Sequence, residues 1–418
     1  MARSEVKRNG SAPAVVRTSA GGVCSAKGFR AAAAAAGIKY RGRDDVALIV
    51  SDAPCRAAAL FTTNKVAAAP VIYDRGVVRS GSARVILANS GCANACTGEL
   101  GLKDARLSAL VTAGELGVRP EEVLVASTGV IGRPLPVDRL LAGMKAAAGK
   151  LGSTRAHGLA AAKAVMTTDT RPKQACATVV AGGAEVTVGG MAKGSGMIEP
   201  NMATMLGFIT TDAAVSSAML KRALRRAVAE SFNRLVVDGD ESTNDSVFLL
   251  ANGAAGNREI RAPGGDYEAF FLGLKAVCVS LARQMAADGE GATRFVTVRV
   301  TGARTAKDAA RAARAVARSP LAKTSWFGGD PNWGRVLAAV GYSGAEVDDM
   351  KAEVFYDGET AFSRGATAGP AQLARLAKVM KKKAFTVSVD LHLGDGAAEI
   401  YTCDLSTEYV HINADYTT

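Results

Sequence analysis

Short apolar runs bounded by polar turns alternate with longer amphipathic segments along most of the chain. The runs have the length and boundaries of buried strands, and they lie at 46–50, 85–88, 123–126, 205–209, 295–300, 352–356 and 385–393. The amphipathic segments have the spacing of helices, and they lie at 104–116, 137–150, 154–165, 213–233, 267–287, 305–318 and 371–382. Gly182-Gly183 predicts a hairpin turn within residues 176–188. Strands and helices in this alternation predict an α/β fold.

Bulk composition narrows the class of protein. The 418 residues are 48% apolar and 22% charged, which is enough apolar material for the cores of two domains. No apolar run has the length of a membrane-spanning helix, so no membrane is expected as a partner. The formal net charge of +12 suits either nucleic acid or small anionic substrates. Because aromatic residues make up only 5% and no zinc-finger or RNP motif is present, we expect small carboxylates and no nucleic acid.

Cysteine and histidine usage argues against both a disulfide framework and a metal centre. The seven cysteines are odd in number and scattered, which predicts reduced thiols and a cytoplasmic location. The one close pair, Cys92 and Cys96, has none of the three histidines near it in the sequence. The acidic loop at 238–245 lacks the ligand spacing of an EF-hand. We therefore predict that no metal is bound.

One stretch in the middle of the chain combines features of a nucleophile with those of a self-cleavage site. Residues 193–206 read Lys-Gly-Ser-Gly-Met-Ile-Glu-Pro-Asn-Met-Ala-Thr-Met-Leu and lead into a predicted strand. The glycines and Pro200 predict a tight turn that presents the Thr204 hydroxyl at the mouth of that strand. Attack of this hydroxyl on the Ala203–Thr204 peptide bond, followed by hydrolysis of the ester, would leave Thr204 with a free amine that can act as a base. The spacing alone leaves open that Thr204 is an ordinary threonine at a strand start.

The sequence of this stretch closely resembles the self-cleavage motif of the ornithine acetyltransferase family, the bifunctional glutamate N-acetyltransferases of arginine biosynthesis. The resemblance extends over nearly the whole chain. In that family the residue matching Thr204 is both the cleavage site and the acetyl-carrying nucleophile. The resemblance implies an α chain of residues 1–203 and a β chain of residues 204–418, which stay associated and form an α2β2 heterotetramer. It also implies a layered mixed-sheet core with helices outside, as in DmpA-like folds, and a second, smaller lobe.

The same resemblance assigns roles to residues that spacing alone would leave as ordinary turn residues. Thr128 and Gly129, at the end of a predicted strand, match the pair that forms the family's oxyanion hole. Thr167 matches a substrate-contacting threonine, with Thr168 as the alternative. Cys92 stands where the family loop bordering the active site is expected to have asparagine, which puts the role of that amide in doubt.

Further substrate contacts are implied towards the C-terminal side of the chain. Lys193 matches a residue that contacts the substrate carboxylate, and Glu290 matches the carboxylate that holds the ornithine amino group. Asn413 and Thr418 match contacts from a C-terminus that folds back over the substrate. The segment 328–335 looks like a family signature, and we expect it beside the active site.

These matches imply that an acetyl group passes from N-acetylornithine to Thr204 and then to glutamate, giving ornithine and N-acetylglutamate. Acetyl-CoA is a possible co-substrate for direct acetylation of glutamate, and no bound cofactor is expected. Two alternative enzymes stay open: a self-processing aminopeptidase of related fold, whose acyl-enzyme is hydrolysed by water, and a monofunctional ornithine acetyltransferase. A basic binding module without catalysis is the third alternative, and an intact chain on a denaturing gel would favour it.

Overall fold

The computed structural model describes residues 15–199 and 205–415, so the predicted site residues Ala203, Thr204 and Thr418 lie outside the described residues. The described strands are β1 (Arg17–Ser19), β2 (Phe29–Ala34), β3 (Val46–Phe61), β4 (Ser82–Cys92), β5 (Val123–Val130), β6 (Lys173–Ala181), β7 (Ala184–Lys193), β8 (Leu206–Thr211), β9 (Ser246–Ala251), β10 (Phe295–Ala303), β11 (Glu353–Tyr356), β12 (Glu359–Ser363), β13 (Ala366–Thr367), β14 (Ala384–Asp390) and β15 (Gly396–Cys403). The described helices are α1 (Ala69–Val77), α2 (Gly98–Leu116), α3 (Val137–Ala148), α4 (Arg155–Ala164), α5 (Ser217–Ala229), α6 (Gly265–Ala287), α7 (Ala306–Arg318), α8 (Pro320–Gly328), α9 (Trp333–Gly341), α10 (Pro370–Val379) and α11 (Thr407–Asp415). The α/β class predicted from the sequence is confirmed.

A mixed sheet of nine described strands forms the larger lobe. Its order is β1-β6-β7-β8-β9-β3-β4-β5, with β2 paired to β3. The pairs β4–β5 and β8–β9 are parallel, and the other neighbours are antiparallel. The long strand β3 joins the two halves, because its first part pairs with β2 and β4 and its last part pairs with β9.

The two halves of this sheet share an inner core and carry helices on their outer faces. Ile49 and Leu124 from one half pack in the same apolar cluster as Phe208 and Phe248 from the other, together with α4. Helices α5 and α6 cover the β6–β9 half, and α2 and α3 cover the β3–β5 half. This is the predicted layered arrangement of a mixed sheet with helices outside.

The predicted second, smaller lobe begins near β10. Its six-stranded sheet has the order β13-β12-β11-β14-β10-β15, and its core includes Trp326, Tyr356 and Phe385. The boundary between the lobes therefore does not coincide with the predicted division at residues 203 and 204. Strand β7 lies before that division and pairs with β8 after it, so both predicted fragments build the larger sheet.

Two local predictions differ from the structure. The helix predicted at 213–233 is shorter, because the chain before α5 is extended: Val215 bridges Ile260, and the Ser216 N–H donates to the Ile260 carbonyl at 3.0 Å. The segment 328–335, predicted as one loop at the active site, is the end of α8, a turn and the start of α9 in the second lobe.

Among the described helices, α6 alone has the length and hydropathy that could allow it to cross a membrane. Its apolar side chains, including Tyr267, Phe270 and Leu281, are buried in the larger lobe. They pack on the outer face of the β6–β9 half of the sheet, mainly against strands β6 and β7. Core packing thus accounts for the apolar composition of this helix.

Candidate active site

A cavity of about 300 Å³ brings together residues that are far apart in the sequence. Its lining includes all the described residues of the predicted site, namely Thr128, Gly129, Thr167, Lys193, Glu290 and Asn413, together with the alternative Thr168. Met205, which directly follows Thr204 in the sequence, also lines the cavity. The structure places these residues together, while their individual roles stay predictions.

The end of β5 presents a hydroxyl group and a glycine to the cavity. The Lys193 ammonium donates a hydrogen bond to Thr128 Oγ1 at 3.1 Å. Because the threonine oxygen is the acceptor in this contact, its own O–H proton stays available to donate. Asn244 holds the strand end in place by donating to the Ser127 carbonyl at 2.8 Å and to the Ala93 carbonyl at 2.6 Å. The arrangement can present a hydrogen-bond donor to an oxygen that becomes negatively charged.

Lys193 is the last residue of β7, and its side chain lines the same cavity. Burial lowers the pKa of this lysine below its ordinary value, and the positive charge of Lys173 adds to the effect. The carboxylates of Asp169, Glu290 and Asp245 oppose the shift. A partly dehydrated ammonium beside a hydroxyl group is suited to hold a carboxylate.

Glu290 follows α6 and faces the cavity with a carboxylate. Asn413 on α11 donates from Nδ2 to Glu290 Oε2 at 2.8 Å. A Cβ on Gly196 would lie 2.2 Å from the same oxygen, so a side chain at position 196 would displace the carboxylate. Gly196 is therefore needed for space, whereas the sequence suggested backbone freedom. A lysine and a glutamate in one cavity complement the two charges of an amino acid.

The turn before the predicted cleavage site is strained and tightly held. Met197 has a positive φ of 54°, a backbone conformation that residues other than glycine rarely adopt. Asp238 accepts the N–H groups of Met197 at 2.6 Å and of Ile198 at 2.7 Å. Glu199 is paired with Arg314 at 3.1 Å and with Arg318 at 2.9 Å, both on α7. The chain is thus fixed on both lobes just before residue 200.

The family model described as ArgJ family matches residues 30–418 of this chain. The chain belongs to the ArgJ family. This confirms the family that the sequence motifs indicated.

Individual relatives cover nearly the whole ArgJ-family chain. It is similar to the arginine biosynthesis bifunctional protein ArgJ of Geobacter sulfurreducens, with 53% identity over 94% of this chain and 99% of that protein. A protein of the same description from Symbiobacterium thermophilum is 52% identical over 96% of this chain and 99% of its own length. Among solved structures, ornithine acetyltransferase complexed with ornithine from Mycobacterium tuberculosis has 42% identity and a TM-score of 0.42, over 45% of this chain and 100% of that chain.

The cysteine that departs from the family pattern lies behind the cavity of this ArgJ-family chain. Cys92 is buried in the outer core beneath α2 and α3, and its thiol is 3.4 Å from the Arg133 carbonyl oxygen. Cys92 is not among the residues that line the cavity, and neither is any residue of the segment 328–335. The prediction that 328–335 lies at this site is therefore wrong.

Sequence reasoning missed several residues that shape the site. No role was predicted for the polar loop 238–245, whereas Asp238 holds the strained turn and Asn244 holds the end of β5. Ser242 and Thr243 of the same loop line the cavity. The run of acidic and amide residues after a predicted strand was the available signal, but their partners lie in distant segments.

Gly129 offers a direct test of how closely the strands pack at the cavity. Its φ is 131°, and a Cβ at this position would lie 2.4 Å from the Gly91 carbonyl carbon on β4. We expect Gly129→Ala to lower the free energy of unfolding by about 2–4 kcal/mol, through positive-φ strain and the backbone collision together. Urea unfolding monitored by circular dichroism measures this change.

Gly132→Ala is the matched control for Gly129→Ala. Gly132 has a φ of 80°, but a Cβ there would meet nothing within 4 Å. It therefore carries the backbone strain without the collision, and we expect a loss of only about 1 kcal/mol. Equal losses in the two variants would contradict the close packing of β4 and β5 at the site.

Proposed function

We propose that this ArgJ-family chain transfers an acetyl group from N-acetylornithine to glutamate through an acetyl-threonine on Thr204. The observation that carries the proposal is that Lys193 and Glu290 both line one cavity of about 300 Å³, with the Thr128 hydroxyl beside Lys193. Such a cavity has the size of an amino-acid ligand and a charge for each end of it. The relatives' description as bifunctional proteins of arginine biosynthesis supports the same reaction.

The reaction consists of two acyl transfers. The Thr204 oxygen attacks the acetyl carbonyl, its α-amine takes the hydroxyl proton, and the same proton passes to the ornithine nitrogen as the amide bond breaks. Glutamate then attacks the ester with its amine, and Thr204 recovers its proton as N-acetylglutamate leaves. In both steps the Thr128 hydroxyl and the Gly129 N–H stabilise the negative oxygen of the tetrahedral intermediate.

Self-cleavage between Ala203 and Thr204 supplies the amine that this chemistry needs. Membership of the ArgJ family and the match of residues 193–206 to that family's self-cleavage motif support the proposal. An N-terminal amine has an ordinary pKa of roughly 8 and can serve as a base near neutral pH. The two products are an α chain of 1–203 and a β chain of 204–418.

Association of the two fragments after cleavage is supported by the sheet they share. Strand β7 of the α fragment pairs along six residues with β8 of the β fragment. Strand β3 likewise pairs along six residues with β9. Separating the fragments would expose these strand edges and the cores around them. We propose that two such heterodimers form an α2β2 assembly, which sedimentation analysis would test.

A second activity, acetylation of glutamate by acetyl-CoA, is part of the proposal. It is supported by the description of the relatives as bifunctional. In this activity the thioester replaces N-acetylornithine as acetyl donor to Thr204, and glutamate accepts the group as before. We also propose a cytoplasmic location, since all seven cysteines are free thiols.

Mass spectrometry of the purified enzyme tests the proposed intermediate. With N-acetylornithine alone, we expect an acetyl adduct on the β fragment, located at Thr204 by peptide mapping. Adding glutamate should remove the adduct and produce N-acetylglutamate, because a positioned amine attacks the ester. Absence of the adduct from an active enzyme would contradict the mechanism.

The same assay separates the alternative enzymes. Acetate release from N-acetylornithine at the same rate with and without glutamate, with no N-acetylglutamate formed, would indicate a self-processing hydrolase of the aminopeptidase type. Replacing N-acetylornithine by acetyl-CoA tests the second activity. Transfer from N-acetylornithine without transfer from acetyl-CoA would indicate a monofunctional ornithine acetyltransferase.

A further inference from the structure

A fully buried ion cluster lies just behind the cavity. Lys173, at the start of β6, places Nζ 2.5 Å from Asp169 Oδ1 and 2.6 Å from Asp288 Oδ2. The side chains of the three residues are 1%, 0% and 3% exposed, in the order Lys173, Asp169, Asp288. None of them is among the residues that line the cavity. Buried charges are costly to desolvate, and well-packed apolar side chains are often no worse for stability, so the cluster calls for an explanation beyond stability.

Both carboxylates of the cluster also hold the backbone of segments that supply cavity residues. Asp169 accepts the N–H of Thr167 at 3.1 Å and the N–H of Gly194, next to Lys193, at 2.8 Å. Asp288 accepts the N–H of Thr170 at 3.1 Å and also the hydroxyl of the same residue.

The third segment attached to the cluster carries Glu290. The Ser195 hydroxyl donates to the Asp288 carbonyl at 2.5 Å, and the Glu290 N–H donates to the Ser195 carbonyl at 2.8 Å. The cluster therefore joins the turn after α4, the end of β7 and the turn after α6. Each of these segments contributes one substrate contact of the proposed site.

We propose that Asp169, Lys173 and Asp288 are positioning residues, which set the relative placement of Thr167, Lys193 and Glu290 in the cavity. This inference rests on the proposed function for the identity of the substrates. Asp169 has a double part in it. Its hydrogen bonds place two of the three segments, and its negative charge is the main one that raises the pKa of Lys193, which favours the protonated form that binds a carboxylate.

The charges around Lys193 determine in which direction its pKa should move when the charge of Asp169 is removed. Burial lowers the pKa of Lys193, and the groups facing it are Asp169, Lys173, Glu290 and Asp245, with the neutral Thr128 hydroxyl in contact. The carboxylates counteract the effect of burial, Asp169 the most strongly. Burial by itself would raise the pKa of Asp169, but the charges of Lys173 and Lys193 and the bound N–H groups hold it below its ordinary value. Asp169 is therefore ionised near neutral pH.

Removing the charge of Asp169 should lower the pKa of Lys193 further. Lys193 binds a carboxylate only when it is protonated, so activity falls as pH rises through its pKa. In Asp169→Asn the alkaline limb of the kcat/KM profile for N-acetylornithine should move to lower pH by about half a unit or more. The value of kcat/KM on the plateau should fall about 10–100-fold, because an amide cannot accept both N–H groups as the carboxylate does.

Asp288→Asn is the matched control. It removes an equally buried carboxylate from the same cluster, but Asp288, unlike Asp169, is not among the main charges that set the pKa of Lys193. We expect a lower kcat/KM and a similar loss of thermal stability, with the alkaline limb in its wild-type position. A purely structural cluster would lower the two plateaus in proportion to stability and shift neither limb. An unshifted limb in Asp169→Asn, or equal shifts in both variants, would overturn the proposal.

Two further measurements keep the test decisive. If Asp169→Asn does not fold, Asp169→Glu replaces it, because glutamate keeps the charge and displaces it. In that variant kcat/KM should fall while the alkaline limb stays in place, and a wild-type kcat/KM would overturn the proposal.

Calorimetric binding of ornithine over the same pH range reports on Lys193 without any acetyl transfer. Failure of the wild-type enzyme to transfer acetyl groups, with ornithine binding still shifted by Asp169→Asn, would reject the proposed reaction and retain the positioning role.

Discussion

Replacing Thr204 by alanine is expected to leave the chain uncut and to abolish acetyl transfer. The variant loses the hydroxyl that attacks the Ala203–Thr204 bond, and it never gains the free amine at position 204. Loss of a nucleophile in enzymes of this kind costs about 10⁴-fold or more in kcat. A denaturing gel should show one band of full length in place of two of about half length, and the transfer assay should give no N-acetylglutamate above background.

Thr204→Ser is the control for the requirement of a hydroxyl group. It keeps the attacking oxygen and lacks only a methyl group, so we expect two bands on the gel and measurable transfer. If the wild-type chain is fully active while still intact, an N-terminal amine cannot be the base. If Thr204→Ala is cut at the same position, another residue or a protease makes the cleavage.

Thr128→Val is expected to lower kcat by about 10²–10³-fold, which is the usual cost of removing one donor from an oxyanion hole. Valine has nearly the shape of threonine, so the strand end should keep its position. The hydroxyl oxygen accepts a hydrogen bond from Lys193 at 3.1 Å, and its proton is the one available to the substrate oxygen. Because the donor acts on the charge that develops in the transition state, kcat should fall much more than KM rises.

Thr128→Ser separates the hydroxyl from the methyl group. Serine keeps the donor, so we expect kcat within about tenfold of the wild-type value. Steady-state kinetics of N-acetylglutamate formation measures both variants. A wild-type kcat in Thr128→Val would exclude the hydroxyl from stabilising the intermediate and would leave that part to backbone N–H groups.

The two catalytic predictions and the positioning proposal concern separate parts of one site. In the proposed mechanism, Thr128 acts on the reacting oxygen, Lys193 binds the substrate carboxylate, and Asp169 acts on Lys193. The separation is measurable, because Thr128→Val should lower kcat, whereas Asp169→Asn should move the alkaline limb of the kcat/KM profile. A single structural defect could not produce both results.

Local sequence was sufficient for the fold class and for most of the elements. Short apolar runs such as 85–88 and 123–126 became the buried strands β4 and β5, because a strand buried on both faces needs apolar side chains throughout. The hairpin at Gly182-Gly183 also formed as predicted, with positive φ values of 59° and 84°. These features depend on neighbours within a few residues, which a single sequence displays directly.

The site was reached from the sequence by its motifs. The described residues to which the family resemblance assigned catalytic or substrate-binding roles line one cavity. Short motifs such as Thr128-Gly129 at a strand end can be recognised in the sequence, although no local pattern shows which residues they face in the folded chain. The segment 328–335 shows the limit of this reasoning, since its distinctive sequence builds a helix junction in the second lobe.

The tertiary structure alone decided which charges are buried and which glycines are needed for space. Lys173 lies just before the predicted hairpin at 176–188, where nothing marks it as buried, and its partner Asp288 is 115 residues away. Gly196 is required by the carboxylate of Glu290, which only the folded chain brings to it. The sequence by itself determined the α/β class, the family and the candidate residues, because these are written in local patterns and motifs. The ion cluster behind the cavity was decided by the fold, because its members have no signal until distant segments meet.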